Sequence, residues 1–340
     1  MIADKVYISN TTFKFKNMKS VDLRNVEWVN NSMFDAFYMC NNLQKVSNIN
    51  NNVTNMYRTF CDCHNLVNVP VIPNNVTNMS ATFVNCSNLI NVPTIPNSVT
   101  DMHYTFGGCY NLVNAPVIPN SVINMGWTFA YCYNLVNTPN IPNSVTDMNF
   151  TFCDCHNLIN TPVIPNSITN MTWTFTRCHN LINAPVIPNS VINMHYTFGD
   201  CSNLVNAPVI PNSVINMSST FGGCYRLVNA PIIPNSVIEM YSTFKGCSNL
   251  VNAPVIPNSV TNISSTFYSC YNLVGNIRIY SNQINDAINC FYGTTLTKNV
   301  YIPFTYENGV NTQTYNTFIS AGYDTNGTTD GVYLKDLNTL

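Results

Sequence analysis

A phenylalanine recurs every 23 residues through most of this 340-residue chain. The series consists of Phe37, Phe60, Phe83, Phe106, Phe129, Phe152, Phe175, Phe198, Phe221, Phe244 and Phe267. A cysteine follows each of them by three positions, from Cys40 to Cys270. A fixed period of this size indicates a solenoid, because one unit cannot bury its own apolar face and must stack on its copies. We therefore expect one elongated repeat domain whose function lies where the copies differ.

Charged residues make up only 8% of the chain, against roughly 25% in typical soluble proteins. The net charge is −2, and the repeats themselves are almost neutral, so the sequence lacks the basic surface that nucleic acids require. An apolar run of about 18 residues is also missing, so no membrane-spanning helix is predicted. Basic residues are concentrated near the start of the chain: Lys5, Lys14, Lys16, Lys19, Arg24, Lys45 and Arg58.

The first half of each copy has the pattern of a short extended segment. In the copy that begins at Leu66, we expect Leu66, Val69 and Ile72 to point inward. Successive copies of this segment would then form a parallel ladder. Pro70 and Pro73 lack an N–H group, so the ladder must be brief, with these prolines at its end or at a bend.

The second half of each copy has apolar residues at spacings of 3, 4, 3 and 3, which is helical periodicity. The segment is long enough for only one or two turns of α- or 3₁₀-helix. The predicted fold is therefore a solenoid of about 11 coils, each with a short parallel strand and a short helical turn. In one copy these apolar residues are Val76, Met79, Phe83, Cys86 and Leu89.

An asparagine occupies a second constant position. Stacked amides there could satisfy backbone groups and one another from coil to coil. Arg226 interrupts this column, so one level must be bonded differently. The column contains Asn65, Asn88, Asn111, Asn134, Asn157, Asn180, Asn203, Asn249 and Asn272.

Eleven of the fourteen cysteines occupy the same place in consecutive coils. This placement predicts a column of reduced, buried thiols that behave as small hydrophobic groups. Disulfides between neighbouring coils, which would lie roughly 4.8 Å apart, are the alternative.

The pattern Leu-x-x-Val-Pro-x-Ile-Pro-Asn-Ser-Val-Thr-x-Met-x-x-Thr-Phe-x-x-Cys-x-Asn-Leu resembles the BspA-like leucine-rich repeats of bacterial and protist surface proteins. The resemblance covers residues 30–273. This sequence has one extra residue before Ile-Pro and one fewer between Met and Phe than that family. The resemblance implies a right-handed solenoid with a parallel strand in each coil, and adhesion or ligand binding rather than catalysis. It does not name a ligand, because family members differ at the variable positions.

The repeats are flanked by segments of different pattern. Alternating residues at Val6–Ile8 and Phe13–Lys16 predict strands that cover the first coil, since an uncapped solenoid exposes its core and strand edges. We expect four segments: a β cap at 1–29, the leucine-rich-repeat solenoid at 30–273, a degenerate repeat at 274–303 and a C-terminal cap at 304–340.

The C-terminal cap is predicted to contain a short helix near Thr312–Ala321 and a last strand at Val332–Leu334. The run from Val300 to Leu334 resembles C-terminal segments of phage and gut-bacterial repeat proteins.

The second residue before each phenylalanine varies most in size, and five consecutive copies carry an aromatic side chain there. A position that accepts both Ser and Trp is not part of a core, because interiors do not tolerate such volume changes. We expect these rings to face outward as a strip about 19 Å long, at roughly 4.8 Å per step. Exposed apolar patches of this kind usually mark interaction surfaces. The strip, here called the aromatic stripe, consists of Tyr104, Trp127, Phe150, Trp173 and Tyr196.

Neighbouring variable positions add further polar and aromatic side chains to this predicted binding surface. On a nearly uncharged protein, such a surface suits a glycan or a protein receptor. The alternative is that the rings stack on one another and merely seal the outside of the coils. The flanking candidates are His103, Tyr131, His156, Arg177, His179 and His195.

Two motifs suggest metal sites, but neither fits one. Cys61-Asp62-Cys63-His64 recurs at 153–156, yet zinc needs four converging ligands and these groups lie four coils apart. Duplication of a four-coil block explains the echo. Asp324, Asn326 and Asp330 lack the glycine position and the closing glutamate of a calcium loop. We predict no metal and no cofactor.

The sequence contains no Gly-rich phosphate loop, no nucleophile elbow and no paired acids in a plausible cleft, so we predict that the protein is not an enzyme. The favoured hypothesis is a recognition protein on a phage virion, as a tail or head appendage, because residues 1–10 lack the pattern of a secretory signal. A bacterial cell-surface adhesin is the alternative. A third hypothesis is a structural spacer whose cationic first cap docks on other virion or surface proteins.

Overall fold

A computed structural model describes residues 6–8, 17–294, 296–305 and 309–340, with the backbone alone at 6–8. The chain forms two compact units, an N-terminal unit at Met1–Ile168 and a C-terminal unit at Thr169–Leu340. Both are built from stacked coils of 23 residues. The strand predicted at Phe13–Lys16 lies outside the described residues.

The N-terminal unit begins with short parallel strand pairs. Strand β1 (Val6–Ile8) pairs with β3 (Val26–Trp28), and β2 (Ser20–Asp22) pairs with β4 (Lys45–Ser47). The indole of Trp28 packs edge-on against the ring of Phe37 at 6.3 Å, so the end of β3 contacts the first coil. The elements are β1 Val6–Ile8, β2 Ser20–Asp22, β3 Val26–Trp28, a 3₁₀ turn Val29–Asn31 and β4 Lys45–Ser47.

The C-terminal unit ends in a parallel sheet of three strands, in the order β5 (Gly275–Arg278), β6 (Lys298–Ile302) and β7 (Val332–Asp336). Ile277, Val300 and Leu334 lie at the same level of this sheet, and all three are buried. The elements are β5 Gly275–Arg278, β6 Lys298–Ile302, α1 Gln313–Ser320, β7 Val332–Asp336 and a 3₁₀ turn Leu337–Thr339. The helix predicted near 312–321 and the last predicted strand are therefore confirmed.

Helix α1 is capped by the hydroxyl of Thr312, which accepts a hydrogen bond from the N–H of Tyr315 at 3.0 Å.

The buried Lys298 connects the last coil to the chain that follows it. Its ammonium donates to the carbonyls of Thr294 at 3.1 Å and Asp330 at 2.8 Å, and also to that of Leu296. Burial lowers the pKa of Lys298 to about 8.

The core of each unit is a set of aligned columns of identical side chains. In one coil, Met102, Phe106, Cys109 and Leu112 are all 0% exposed. The phenylalanine rings stack face to face along each unit, with centroids 5.5 to 5.8 Å apart. Each coil thus buries its apolar residues only by contact with its neighbours, as the 23-residue period predicts.

The segment predicted as a helical turn is not helical. Two residues in each coil have a left-handed backbone, for example Tyr104 with φ 54° and Gly108 with φ 72°. An α- or 3₁₀-helix requires a negative φ at every residue, so this backbone excludes both. The spacing of 3, 4, 3 and 3 instead reflects successive tight turns. In these turns Thr105 N–H donates to Met102 at 3.0 Å, and Cys109 N–H donates to Phe106 at 3.0 Å.

The left-handed residues allow adjacent coils to bond through their backbones. In this segment every second N–H points at the next coil. Met102 donates to Asn124 at 3.0 Å, Tyr104 to Gly126 at 2.8 Å, and Gly108 to Ala130 at 2.8 Å. A helical backbone would direct all of these N–H groups along its own axis. The turns therefore leave half of the donors for coil-to-coil bonds, and this offsets the roughly 1–2 kcal/mol cost of each left-handed residue that is not glycine.

The predicted short parallel pairing between coils is confirmed, but within the extended segment it is limited to single bridges such as Asn114 with Asn137. Prolines remove the donors that a longer ladder would need. Leu66 and Ile72 are buried as expected, whereas Val69 is half-exposed.

Threonine and cysteine columns add side-chain hydrogen bonds to backbone carbonyls of the same and the preceding coil. The hydroxyl of Thr105 donates to Met102 in its own coil at 2.8 Å and to Met79 in the preceding coil at 2.9 Å. The thiol of Cys109 donates to the carbonyl of Phe83 at 3.2 Å. No disulfide joins the fourteen cysteines, all of which are buried and lie within the described ranges.

The asparagine column forms the predicted amide ladder. Asn88 donates to the side-chain oxygen of Asn65 at 3.1 Å, and the same bond recurs between later members of the column. At the interruption, the guanidinium of Arg226 donates to the side-chain oxygen of Asn203 at 3.4 Å. The longer side chain therefore preserves the coil-to-coil bond.

Ser265 tests the left-handed turns. Its φ is 52°, a conformation that glycine adopts without strain, so Ser265→Gly is expected to stabilise the protein by about 1 kcal/mol. Ser265→Val is expected to destabilise it by roughly 1–2 kcal/mol or more, because a β-branched side chain fits this backbone poorly. The measurement is the midpoint of urea unfolding. The neighbouring Ser264, whose φ is not positive, provides the control, and Ser264→Gly should lower stability. Equal losses for both glycine variants would contradict the assignment.

The thiol column predicts slow chemical modification. Burial raises the pKa of the thiols in this column, to about 12 at Cys270, so little reactive thiolate forms near neutral pH. A disulfide-exchange reagent is expected to leave the native protein unmodified and to titrate all fourteen thiols after unfolding without reductant. Val186→Cys is the control, because Val186 is 87% exposed and the new thiol should react in the native state. A count below fourteen after unfolding would show that disulfides have formed.

Candidate functional site

In the N-terminal unit, three members of the aromatic stripe form a continuous stack on the outside of successive coils. Trp127 lies almost parallel to Phe150, with centroids 4.0 Å apart and an angle of 9°. Tyr104 meets Trp127 edge-on at 5.7 Å. All three side chains are half-buried, so they belong neither to the methionine and phenylalanine core nor to open solvent.

The left-handed backbone determines how these rings lie. A Cβ atom on Gly107 would fall 2.0 Å from the Tyr104 ring, so the ring covers Gly107 of its own coil. The rings therefore lie flat across the turns, which corrects the expectation that they extend fully outward. Desolvation is the main reason that the pKa of Tyr104 rises to about 12.

A second aromatic column runs beside this stack and was missed in the sequence. Tyr110, Tyr133 and His156 each follow a buried cysteine, and they stack at 4.9 and 4.7 Å. Tyr131 contacts the neighbouring stack, tilted against Trp127 at 6.4 Å. The signal was present, because the position after cysteine carries a ring in four consecutive copies, from Tyr110 to His179. The N-terminal aromatic cluster is defined as Tyr104, Trp127, Phe150, Tyr131, Tyr110, Tyr133 and His156.

Of the other candidates in this unit, His103 lies beside the cluster, with its ring 6.5 Å from that of Tyr104. Its backbone N–H is held by the Asp101 carboxylate at 2.9 Å. The turn thus fixes the base of this side chain next to the rings.

The C-terminal unit contains the other two members of the stripe. Trp173 and Tyr196 stack at 4.1 Å with an angle of 14°. His195 meets the Trp173 ring edge-on at 6.4 Å and lies 6.1 Å from the ring of Tyr241. Burial lowers the pKa of His195, which favours the neutral imidazole near pH 7. These four residues are the C-terminal aromatic cluster.

Polar groups converge on the edge of this cluster at Asp200. The Tyr196 hydroxyl donates to a carboxylate oxygen of Asp200 at 3.2 Å, and Nε of Arg177 lies 3.9 Å from the same oxygen. The ring of His179 lies 3.0 Å from the backbone oxygen of Asp200. The structure therefore gathers Arg177, His179 and Tyr196, which the sequence predicted, around an acid that it did not.

Beside Tyr196 the surface contains a groove of about 280 Å³. Ser219 and Ser242 replace the aromatic side chains of the preceding coils, and glycines form the floor. Lys245 borders the groove, with its ammonium 5.0 Å from the centre of the Tyr268 ring. The lining residues are Tyr196, Asp200, Ser219, Gly222, Gly223, Tyr225, Ser242, Lys245 and Gly246. Sequence reasoning missed this groove because a cavity made by small residues leaves no side chain to notice.

The second copy of the Cys-Asp-Cys-His motif forms hydrogen bonds among its own side chains. The thiol of Cys153 donates to the carboxylate of Asp154 at 3.3 Å, and the His156 ring lies 3.3 Å from the other carboxylate oxygen. Nowhere in the described ranges are three or more side chains of the types that ligate metals arranged so that they could hold a metal ion. Among the described helices, none has the length and apolar character needed to cross a membrane.

The repeat architecture agrees with a known family. A family described as "BspA type Leucine rich repeat region (6 copies)" matches residues 6–136, 126–251 and 192–320. The chain belongs to this BspA-type leucine-rich repeat family. BspA-type proteins are generally non-enzymatic recognition proteins, and the match indicates no catalytic family.

Two solved structures are similar to the chain, and the first of them has the same fold. A leucine-rich repeat protein from Bacteroides ovatus is 22% identical, with a TM-score of 0.50, over 86% of this chain and 88% of its own. A leucine-rich cell surface protein from Faecalibacterium prausnitzii is also 22% identical, with a TM-score of 0.49, over 81% of this chain and 88% of its own. No curated protein matches the chain.

The pKa of Tyr196 tests its contact with Asp200 at the polar edge of the C-terminal aromatic cluster. Burial first, and the negative charge of Asp200 second, raise the pKa of its phenol to about 12. Asp200→Asn is expected to lower this pKa while leaving it above the ordinary value of about 10. The pKa of Tyr196 is higher in the folded protein than in the unfolded chain. Its contribution to the free energy of unfolding is therefore complete below about pH 10 and is lost as the pH rises toward 12. Carbon NMR of the tyrosine rings measures the titration. Tyr104, which is raised to about 12 without Asp200, is the internal control, and an unchanged Tyr196 would contradict the contact.

Proposed function

We propose that this BspA-type protein is a non-enzymatic adhesin that binds a surface glycan or protein receptor and is displayed on a bacterial cell surface. The observation that carries this proposal is the N-terminal aromatic cluster, where two columns of rings lie side by side at variable positions. Rings at such positions are not needed by the fold, because other coils hold Ala81 or Ser219 at the same place.

The chemistry of the cluster suits recognition. Half-buried aromatic faces next to hydroxyl and imidazole groups can stack on sugar rings or on side chains of a partner, and contiguous exposed apolar patches commonly mark such surfaces. The stack is also held by its own contacts, since Trp127 and Phe150 lie 4.0 Å apart. Such a rigid aromatic surface loses little conformational entropy when it binds.

Display on a cell rather than a virion is favoured by membership of the BspA-type family. The Faecalibacterium protein of similar fold is itself described as a cell surface protein. The resemblance of residues 300–334 to phage proteins, and with it a role in a virion, stays a prediction. The docking role of the cationic first cap is likewise a prediction, and its Lys14 and Lys16 lie outside the described residues.

Trp127→Ala tests the proposed surface. We expect retention on a glycan array or on cultured cells to fall by at least about tenfold, because this ring contacts both neighbours in the stack. Loss of the stacking should lower stability by only about 1 kcal/mol. The same change at Trp173 tests the C-terminal cluster separately.

Tyr57→Ala is the matched control. Tyr57 stacks on Phe34 at 5.4 Å in the same unit but lies outside the N-terminal aromatic cluster. This variant should lose similar stability and keep full retention. If Trp127→Ala and Trp173→Ala lose stability while retention persists, the rings serve only to seal the coils and the proposed surface is wrong.

A further inference from the structure

The groove beside Tyr196 arises where the variable positions become small together. Ser219 and Ser242 stand where earlier coils carry rings, and Gly222, Gly223 and Gly246 occupy the two positions after phenylalanine. At those positions most other coils hold a larger residue, and where Gly107 and Gly199 occur, the ring of Tyr104 or Tyr196 covers them. The depression is therefore specific to two adjacent coils of the C-terminal unit.

The fold does not require glycine at the floor. A Cβ atom on Gly222 would meet no atom closer than 3.5 Å, and its φ is not left-handed. Gly107 differs, because a Cβ atom there would collide with the Tyr104 ring. Val84 occupies the same coil position as Gly222 in the N-terminal unit. The absent side chain at Gly222 leaves space in the groove without relieving any clash.

Gly223 brings a carboxylate to the floor. Its φ is 73°, and a Cβ atom there would lie 2.2 Å from a carboxylate oxygen of Asp200. Only a glycine lets this carboxylate lie across the coil. Asp200 thus presents acceptor oxygens inside the groove while the Tyr196 hydroxyl holds one of them.

The walls supply an aromatic face and a positive charge. Tyr225 is 52% exposed, and its ring lies 3.8 Å from the Cβ position of Gly246. Lys245 also lines the groove; its ammonium lies near the Tyr268 ring and forms no ion pair with any carboxylate in the described chain.

Charge around the groove is unbalanced. The stretch 169–273 contains three basic residues, Arg177, Arg226 and Lys245, and two acids, Asp200 and Glu239. Asp200 is the one acid that lines the groove, and Arg177 already lies 3.9 Å from it. On a protein with so few charges, this surface attracts an anion.

We propose that this groove binds one pyranose ring that carries a carboxylate, such as a uronic or sialic acid at the end of a glycan. The sugar carboxylate pairs with Lys245, the hydroxyls bond Asp200 and the serines, and the ring face packs on Tyr225. A volume of about 280 Å³ suits a single ring, since it lies at the lower limit of small-molecule pockets. This inference rests on the proposed function and names its ligand.

The test is titration of the full chain with methyl glucuronide and with the methyl glycoside of N-acetylneuraminic acid, followed by NMR. Methyl glucoside is the neutral comparison. We expect at least one acidic sugar to bind at least about tenfold more tightly than methyl glucoside. Lys245→Gln should remove that preference, and Gly222→Val should remove binding by filling the floor.

Lys335→Gln is the matched control, because Lys335 also lies near a tyrosine ring, at 5.9 Å, but away from the groove. It should bind as the unchanged protein does, and the urea midpoints of all variants should agree. Equal binding of neutral and acidic sugars, or unchanged binding by Gly222→Val, would overturn the inference. So would the absence of binding by either acidic sugar.

The two proposals can fail separately. If glycan-array retention depends on Trp127 or Trp173 while Gly222→Val and Lys245→Gln change nothing, the adhesin remains and the acidic-sugar groove is wrong. If no array glycan and no cell is retained, but an acidic sugar binds the groove, the aromatic surface is wrong and the groove stands.

Discussion

The structure depends on the alternating direction of backbone N–H groups in the turn segment of each coil. One N–H closes a turn within the coil, and the following one bonds the next coil, as at Thr105 and Phe106. This alternation requires a left-handed residue at two positions per coil, and most of these residues are not glycine. The strain is distributed over many coils, and the resulting coil-to-coil bonds offset it. Everything inside, including the stacked phenylalanines, follows from coils held at this fixed separation.

The same constraint explains where function can reside. A side chain on a left-handed residue of this segment lies across its own coil. The surface therefore consists of flat side chains that differ between coils, on a backbone that is the same in every coil. Large rings at these positions produce the aromatic clusters, and small residues produce the groove. Both features use the same two or three positions, so recognition changes without any change to the core. This is the separation of scaffold and site that repeat proteins permit.

The sequence predicted whatever depends on periodicity. The buried phenylalanines, the amide ladder, the buried thiols and the helix at 313–320 all agree with the structure. The helical turn was wrong because spacings of three and four suit successive tight turns as well as a helix, and only φ separates them. Val69 was expected inside but is half-exposed. The groove escaped prediction because glycines and serines mark it only by what they lack, and its charges come from three different coils. The neighbours of Asp200 could not be read from spacing alone.

The thiol column has a consequence for how such a chain changes length. Each thiol donates to a carbonyl of the preceding coil and needs no covalent partner, as Cys109 does with Phe83. Removing or inserting one whole coil therefore leaves no half-cystine behind, in either an oxidising or a reducing compartment. A scaffold linked by disulfides could gain or lose its units only in matched pairs. Unequal recombination between copies of a repeat this uniform can consequently lengthen or shorten the protein by single coils. No cysteine at the new junction is left without a disulfide partner that it needs.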